Sequence, residues 1–199
     1  MTKLKTFKTL ILTVLLASSM TSILSGCVYV AATAATVSGI DIARDRRTTG
    51  SYIDDQLIES KAKYELLSNE TLKGTTHFNV TSMNGVVLLT GETPQPEQRT
   101  LAVNIVQDIA QVRQVVNEVR IAGKSNLGSR SNDAWLTSKV KVNLFDAKNV
   151  DATRIKVVTE SSIVYLMGLV SRIEGDSAAQ SARTVTGVER VVKVFEYID

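Results

Sequence analysis

Few side chains in this sequence have the chemistry to act on a ligand, and the most distinctive lie in "DAWLTSKVKVNLF", residues 133–145. This stretch holds the only tryptophan, Trp135, followed by Lys139 and Lys141, with no acidic residue between Trp135 and Phe145. An indole beside lysines suits the boundary between water and an anionic lipid surface, where an amphipathic ring settles. Other reactive groups are sparse. His77 is the single histidine and Cys27 the single cysteine, so neither an intramolecular disulfide nor a cysteine-based zinc cluster can form. A lone imidazole reads as structural or solvent-facing, and no metal or cofactor is expected. Asp54 with Asp55, and Glu174 with Asp176, are read as helix-start carboxylates that complement the helix dipole. The sequence shows no P-loop, dinucleotide fingerprint or nucleophile elbow, so an enzyme is a poor reading.

The residues around Trp135 need a helix to position them. At 100° per residue, Leu136, Val140 and Leu144 form one stripe that should face a sheet. Trp135 and Val142 fall on a different side, with Ser138 and Lys139 beside them and Lys141 further round. An earlier stretch, "DQLIESKAKYELL", repeats the pattern, with Ile58, Ala62 and Leu66 inward and Leu57 and Tyr64 on the second side. Here Lys61 and Lys63 are balanced by Glu59 and Glu65, whereas the later copy keeps its lysines and has no acids. Two readings of Trp135 follow. It contacts lipid, or it packs between the two copies or in the core.

The likeness extends over whole modules. Asp55 aligns with Asp133, Ser60 with Ser138 and Lys61 with Lys139; further on, Val80 aligns with Val157 and Gly91 with Gly168. Each copy reads as a helix (53–68; 133–145), an alternating strand, a second apolar strand, a helix and a β-branched strand. Asn84-Gly85 between the first two strands is a strong hairpin cue. Ser161-Ser162 stands there in the second copy, which predicts a different turn. Gly91 and Gly168 end strands and are expected to relieve crowding rather than cradle phosphate. The order predicts an α+β fold, two tandem αββαβ modules at 51–122 and 132–199, joined by a Gly/Ser linker at 123–131.

The net charge of +3 belongs to the start of the chain. Lys3, Lys5 and Lys8 precede an apolar run; with them set aside, basic and acidic side chains balance. A neutral body argues against nucleic acid as the partner, since phosphate binding needs excess cationic side chains. The basic start, apolar core and small residues that follow are an export signal, residues 1–26. Residues 27–50 read as a tether, or as a short helix over "YVAATAATV" packed on the body, with Arg44, Arg46 and Arg47 on a solvated face offset by Asp41 and Asp45.

Leu24-Ser25-Gly26-Cys27 resembles the lipobox of bacterial lipoproteins. The alternative is an ordinary export signal with an incidental cysteine. The resemblance implies acylation of Cys27 and, with Val28 rather than Asp next to it, an outer-membrane anchor facing the periplasm. The repeated αββαβ order, with "NGVVLLTG" and "VYLMGLV" on the second strands, resembles the BON domain. Two such modules behind a lipobox resemble the dual BON-domain outer-membrane lipoproteins, the division- and outer-membrane-linked lipoprotein family. That resemblance implies three-stranded mixed sheets with both helices on one face and a role in envelope integrity, with enrichment at the division site. It also implies contact of the second module's first helix with anionic phospholipid such as phosphatidylglycerol, Trp135, Lys139 and Lys141 matching "W-x-x-x-K-x-K/R". The expected contact set is Trp135, Leu136, Ser138, Lys139, Lys141 and Val142, although Leu136 also belongs to the inward stripe. The competing function is a periplasmic adaptor or chaperone-like module for outer-membrane assembly machinery, using Leu57 and Tyr64.

Overall fold

The computed structural model describes residues 46–199; the export signal, Cys27 and most of the expected tether lie outside them. The first module runs α1 (Thr49–Ser68), β1 (His77–Met83), β2 (Val86–Thr93), α2 (Pro96–Gln107) and β3 (Gln114–Ile121). The second runs α3 (Leu127–Phe145), a 3-10 turn (Ala152–Arg154), β4 (Lys156–Glu160), β5 (Ile163–Val170), α4 (Arg172–Arg183) and β6 (Arg190–Tyr197). The αββαβ order therefore holds in both. In each sheet the second strand is central, antiparallel to the first and parallel to the third.

Both leading helices start earlier than their apolar stripes suggest. The Asn126 side chain accepts from the Ser129 amide at 2.8 Å, so α3 begins inside the segment expected to be linker. Thr48 caps α1 in the same way, accepting from the Ser51 amide at 3.0 Å. A good N-cap satisfies a helix-end amide and carries the helix back through residues with no apolar period.

The inward stripes behave as their spacing requires. Ile58, Ala62 and Leu66 pack with Val80, Val87, Leu89, Ala102 and Val106 in one core. Leu136, Val140 and Leu144 pack with Val157, Val164, Leu166 and the alanines of α4 in the other. The central strands are buried on both faces, which explains their unbroken apolar runs "VVLL" and "IVYLM". Val87 and Leu89 face helices, while Leu88 joins Met83, Tyr165 and Met167 in a third cluster drawn from both modules. The two sheets thus pack on each other through their helix-free faces, giving the layer order helices, sheet, sheet, helices.

The rim of this junction repeats its own contacts. Asn84, in the first hairpin turn, donates to Glu196 on β6 at 3.1 Å. Arg120 on β3 donates to Ser161 in the second hairpin turn. These elements exchange roles between modules, so the junction has approximate two-fold character. Lys156 pairs with Glu59 at 2.7 Å across it.

The two turns are alike, contrary to the expectation from Ser161-Ser162. Asn84 and Gly85 have φ of 53° and 74°, and Ser161 and Ser162 have 51° and 62°. Positive φ at both central residues is the hairpin turn that matches strand twist. A carboxylate makes it possible without glycine. Asp133 accepts the Ser161 amide at 2.9 Å and the Ser162 amide at 2.8 Å. Asp55 does the same for Asn84 at 2.7 Å and Gly85 at 2.9 Å. Both aspartates are buried and lie within their helices, so Asp55 is a turn clamp rather than a helix-start charge.

Candidate functional site

The Asp133 clamp and the Leu136-Val140-Leu144 stripe fix α3 against its sheet, leaving one side of the helix outward. Trp135 is 55% exposed, so it packs neither in the core nor between the modules. Lys139 Nζ sits 4.2 Å from the centroid of the indole ring, a cation-π contact made possible by their i, i+4 spacing. Val142 and Phe145 are also exposed. Phe145 is absent from the sequence-based set, yet it extends this apolar face at the end of the helix. Its place at 280° from Trp135 on the same wheel was the available signal.

Trp135, Ser138, Lys139, Val142 and Asn143 line one wall of a groove of about 480 Å³, with Thr184, Val185 and Thr186 opposite. Asn143 holds the two walls together, donating to the Ser181 carbonyl at 2.8 Å and to Thr184 at 3.0 Å. The Ser138 hydroxyl donates to the Ala134 carbonyl at 3.1 Å, which leaves its oxygen as an acceptor. Lys141 is exposed on the flank and does not line the groove. Leu136 is a correction: it is fully buried in the module core and cannot touch a lipid.

The first module offers the control for this surface. On α1, Lys61 pairs with Glu65 at 3.8 Å and Lys63 with Glu59 at 3.6 Å. Among the described residues, no carboxylate pairs with Lys139 or Lys141. The outer face of α1 carries Ile53, Leu57, Tyr64 and Leu67, each more than half exposed. One helix thus presents apolar groups with neutralised charge, and the other presents apolar groups with uncompensated positive charge.

Arg46 and Arg47 are not on a solvated face. Arg46 forms a two-point pair with Glu174 at 2.7 and 3.0 Å and donates to the Leu169 carbonyl at 2.9 Å. The Arg46 guanidinium, with the Ser171 capping contacts, holds Glu174 down at about 2. Arg47 pairs with the buried Asp55 at 2.6 Å. His77 lies half-buried near Glu92 and Glu160, one ligand atom from each falling within 4.8 Å of the others. Burial, followed by the positive charge of Arg130, lowers the His77 pKa. Gly91 has φ of 118°, and a Cβ there would stand 2.0 Å from the His77 carbonyl, so crowding explains that glycine.

Taken together, a duplicated αββαβ unit with an exposed, differently charged helix on each copy defines a tandem-module α+β protein. Known proteins place it further. The BON domain matches residues 54–123 and again 132–199. The chain is 35% identical over 179 residues to the outer membrane lipoprotein DolP of Haemophilus influenzae, covering 90% of this chain and 92% of that one. It is 36% identical over 154 residues to the 21 kDa hemolysin of Actinobacillus pleuropneumoniae, covering 77% and 79%. Osmotically-inducible protein Y of Escherichia coli is 30% identical over 197 residues, 96% of both chains. The chain belongs to the dual BON-domain outer-membrane lipoprotein family.

Proposed function

We propose that the second module binds anionic phospholipid, such as phosphatidylglycerol, through the outer face of α3. Trp135, Lys139, Val142 and Phe145 make the contact, with Ser138 beside them and Lys141 on the flank. In this reading Cys27 is acylated and holds the chain at the outer membrane, facing the periplasm, where it supports envelope integrity and gathers at the division site. The observation that carries the proposal is the exposed indole with an uncompensated lysine stacked on it, on the copy of the helix that lacks acids.

The interaction is weak by itself. Two lysines near an anionic surface contribute roughly 1 kcal/mol each, and partial burial of the indole and valine about 2–3 kcal/mol. A sum of about 4–5 kcal/mol corresponds to a Kd near a millimolar. A lipid anchor supplies an effective concentration of about that order, so a weak headgroup contact becomes effective.

The test uses the chain carrying Cys27→Ser, which removes the acylation site, titrated with phosphatidylglycerol-rich or zwitterionic vesicles. A blue shift of Trp135 emission with the anionic vesicles alone is expected. No shift, or the same shift with both, ends the lipid reading. The exposed stripe on α1 favours a second reading for the first module, a docking face for outer-membrane assembly machinery. A photocrosslinker at position 64 yielding one stoichiometric protein adduct in envelopes would support it.

A further inference from the structure

The junction between the modules is asymmetric at its two ends, and the asymmetry carries a ligand chemistry. In the register that pairs Val80 with Val157 and Gly91 with Gly168, His77 corresponds to Arg154, Glu92 to Leu169 and Glu160 to Met83. One end of the junction therefore has Met83 and Leu169 beside a cavity that Arg113, Gln114, Lys193 and Glu196 also line. The other end replaces them with two carboxylates and has an imidazole in place of the Arg154 guanidinium. Packing does not require those acids, since the related end is built without them.

Both carboxylates are buried; among the described residues, Glu92 has a single ion pair, to Arg120, and Glu160 has none. Glu92 is fully buried, and its contacts are all long: Arg120 and Ser161 at 3.3 Å to Oε1, and the Ser125 amide at 3.3 Å to Oε2. Glu160 is 5% exposed. Its Oε2 accepts from Asn79 at 2.7 Å and from Thr90 at 3.5 Å. Among the described residues no donor reaches Oε1, and no cationic side chain pairs with Glu160. A buried carboxylate without a counter-charge is costly unless it is protonated or binds a cation.

We propose that His77, Glu92 and Glu160 form a site for a zinc-class divalent cation that bridges the two modules. One imidazole nitrogen with two carboxylate oxygens is a donor set that a borderline ion such as Zn²⁺ accepts, whereas Mg²⁺ prefers oxygen alone. Bonds of about 2.0–2.2 Å place tetrahedral ligand atoms about 3.4 Å apart, so side-chain shifts of about an ångström close the observed spacing of within 4.8 Å. Asn79 orients Glu160 from the other module, as outer-shell partners do. Arg120 is half exposed and bonds both Glu92 and Ser161, so an ion entering at Glu92 would compete with that pair.

The experiment takes the full chain in detergent micelles, stripped with chelator, and adds zinc chloride or magnesium chloride. Zinc at about a hundred times its Kd should raise the unfolding midpoint by roughly 5–10 °C, and magnesium should not. One zinc per chain is expected by calorimetry. Glu160→Gln, which preserves shape and the Asn79 contact, and His77→Gln should each weaken zinc binding by at least about tenfold. Circular dichroism without zinc reports that both variants are folded. A midpoint unmoved by zinc overturns the site, as does an equal rise with magnesium or a zinc response undiminished in both variants.

Discussion

Trp135→Ala is the substitution that bears most directly on the lipid-binding proposal. An indole offers roughly 200–250 Å² of surface, and with Trp135 55% exposed, roughly 110–140 Å² can leave water on contact. At about 25 cal/mol per Å², complete coverage would contribute about 3 kcal/mol, and seating half of it at an interface about 1.5 kcal/mol. The 4.2 Å contact with Lys139 is already made in the unbound chain, so it adds nothing to this difference. A loss of about 1.5 kcal/mol predicts roughly tenfold weaker binding. Because the substitution removes the only tryptophan, the assay is co-sedimentation with phosphatidylglycerol vesicles, using the Cys27→Ser background. Trp135→Phe should recover most of the binding, and Lys139→Glu should lose at least as much as Trp135→Ala. The urea midpoint should barely move in any of them, since Trp135 is outside the core cluster. Equal sedimentation of Trp135→Ala and its parent would refute both the surface and the arithmetic.

Two further predictions concern the frame that presents this surface. Ser162→Gly should stabilise the chain by about 0.5–1 kcal/mol in urea denaturation, because Ser162 sits at φ of 62° where glycine meets no steric cost. Asp133→Ala should cost about 2–4 kcal/mol, since two turn amides lose their acceptor; a loss under 1 kcal/mol would contradict the clamp. Arg46 holds Glu174 at about 2, against an ordinary 4.5. A depressed carboxylate contributes stability that is present above its unfolded pKa and lost as pH falls through the folded value. Thermal unfolding should therefore show a loss between pH of about 4.5 and about 2 that is flattened in Arg46→Ala.

Local periodicity determined a great deal here. The duplication, the two inward stripes, the hairpin positions and the contrast in charge between α1 and α3 are all sequence features, because neighbours on a helix face or across a two-residue turn are close in the chain. The same locality limits what can be read. Arg46 and Arg47 look solvated beside Asp41 and Asp45, yet their partners are Glu174, far along the chain, and Asp55, two turns into the helix. Ser161-Ser162 gives no turn signal because its support comes from Asp133 on another element. Leu136 is next to Trp135 in sequence and on the opposite face in space. Stacking of the two sheets, and with it the meeting of His77 and Glu92 with Glu160, depends on which apolar faces remain after each helix pair is docked. That residual surface is a property of the assembled modules, so only the tertiary structure decides it.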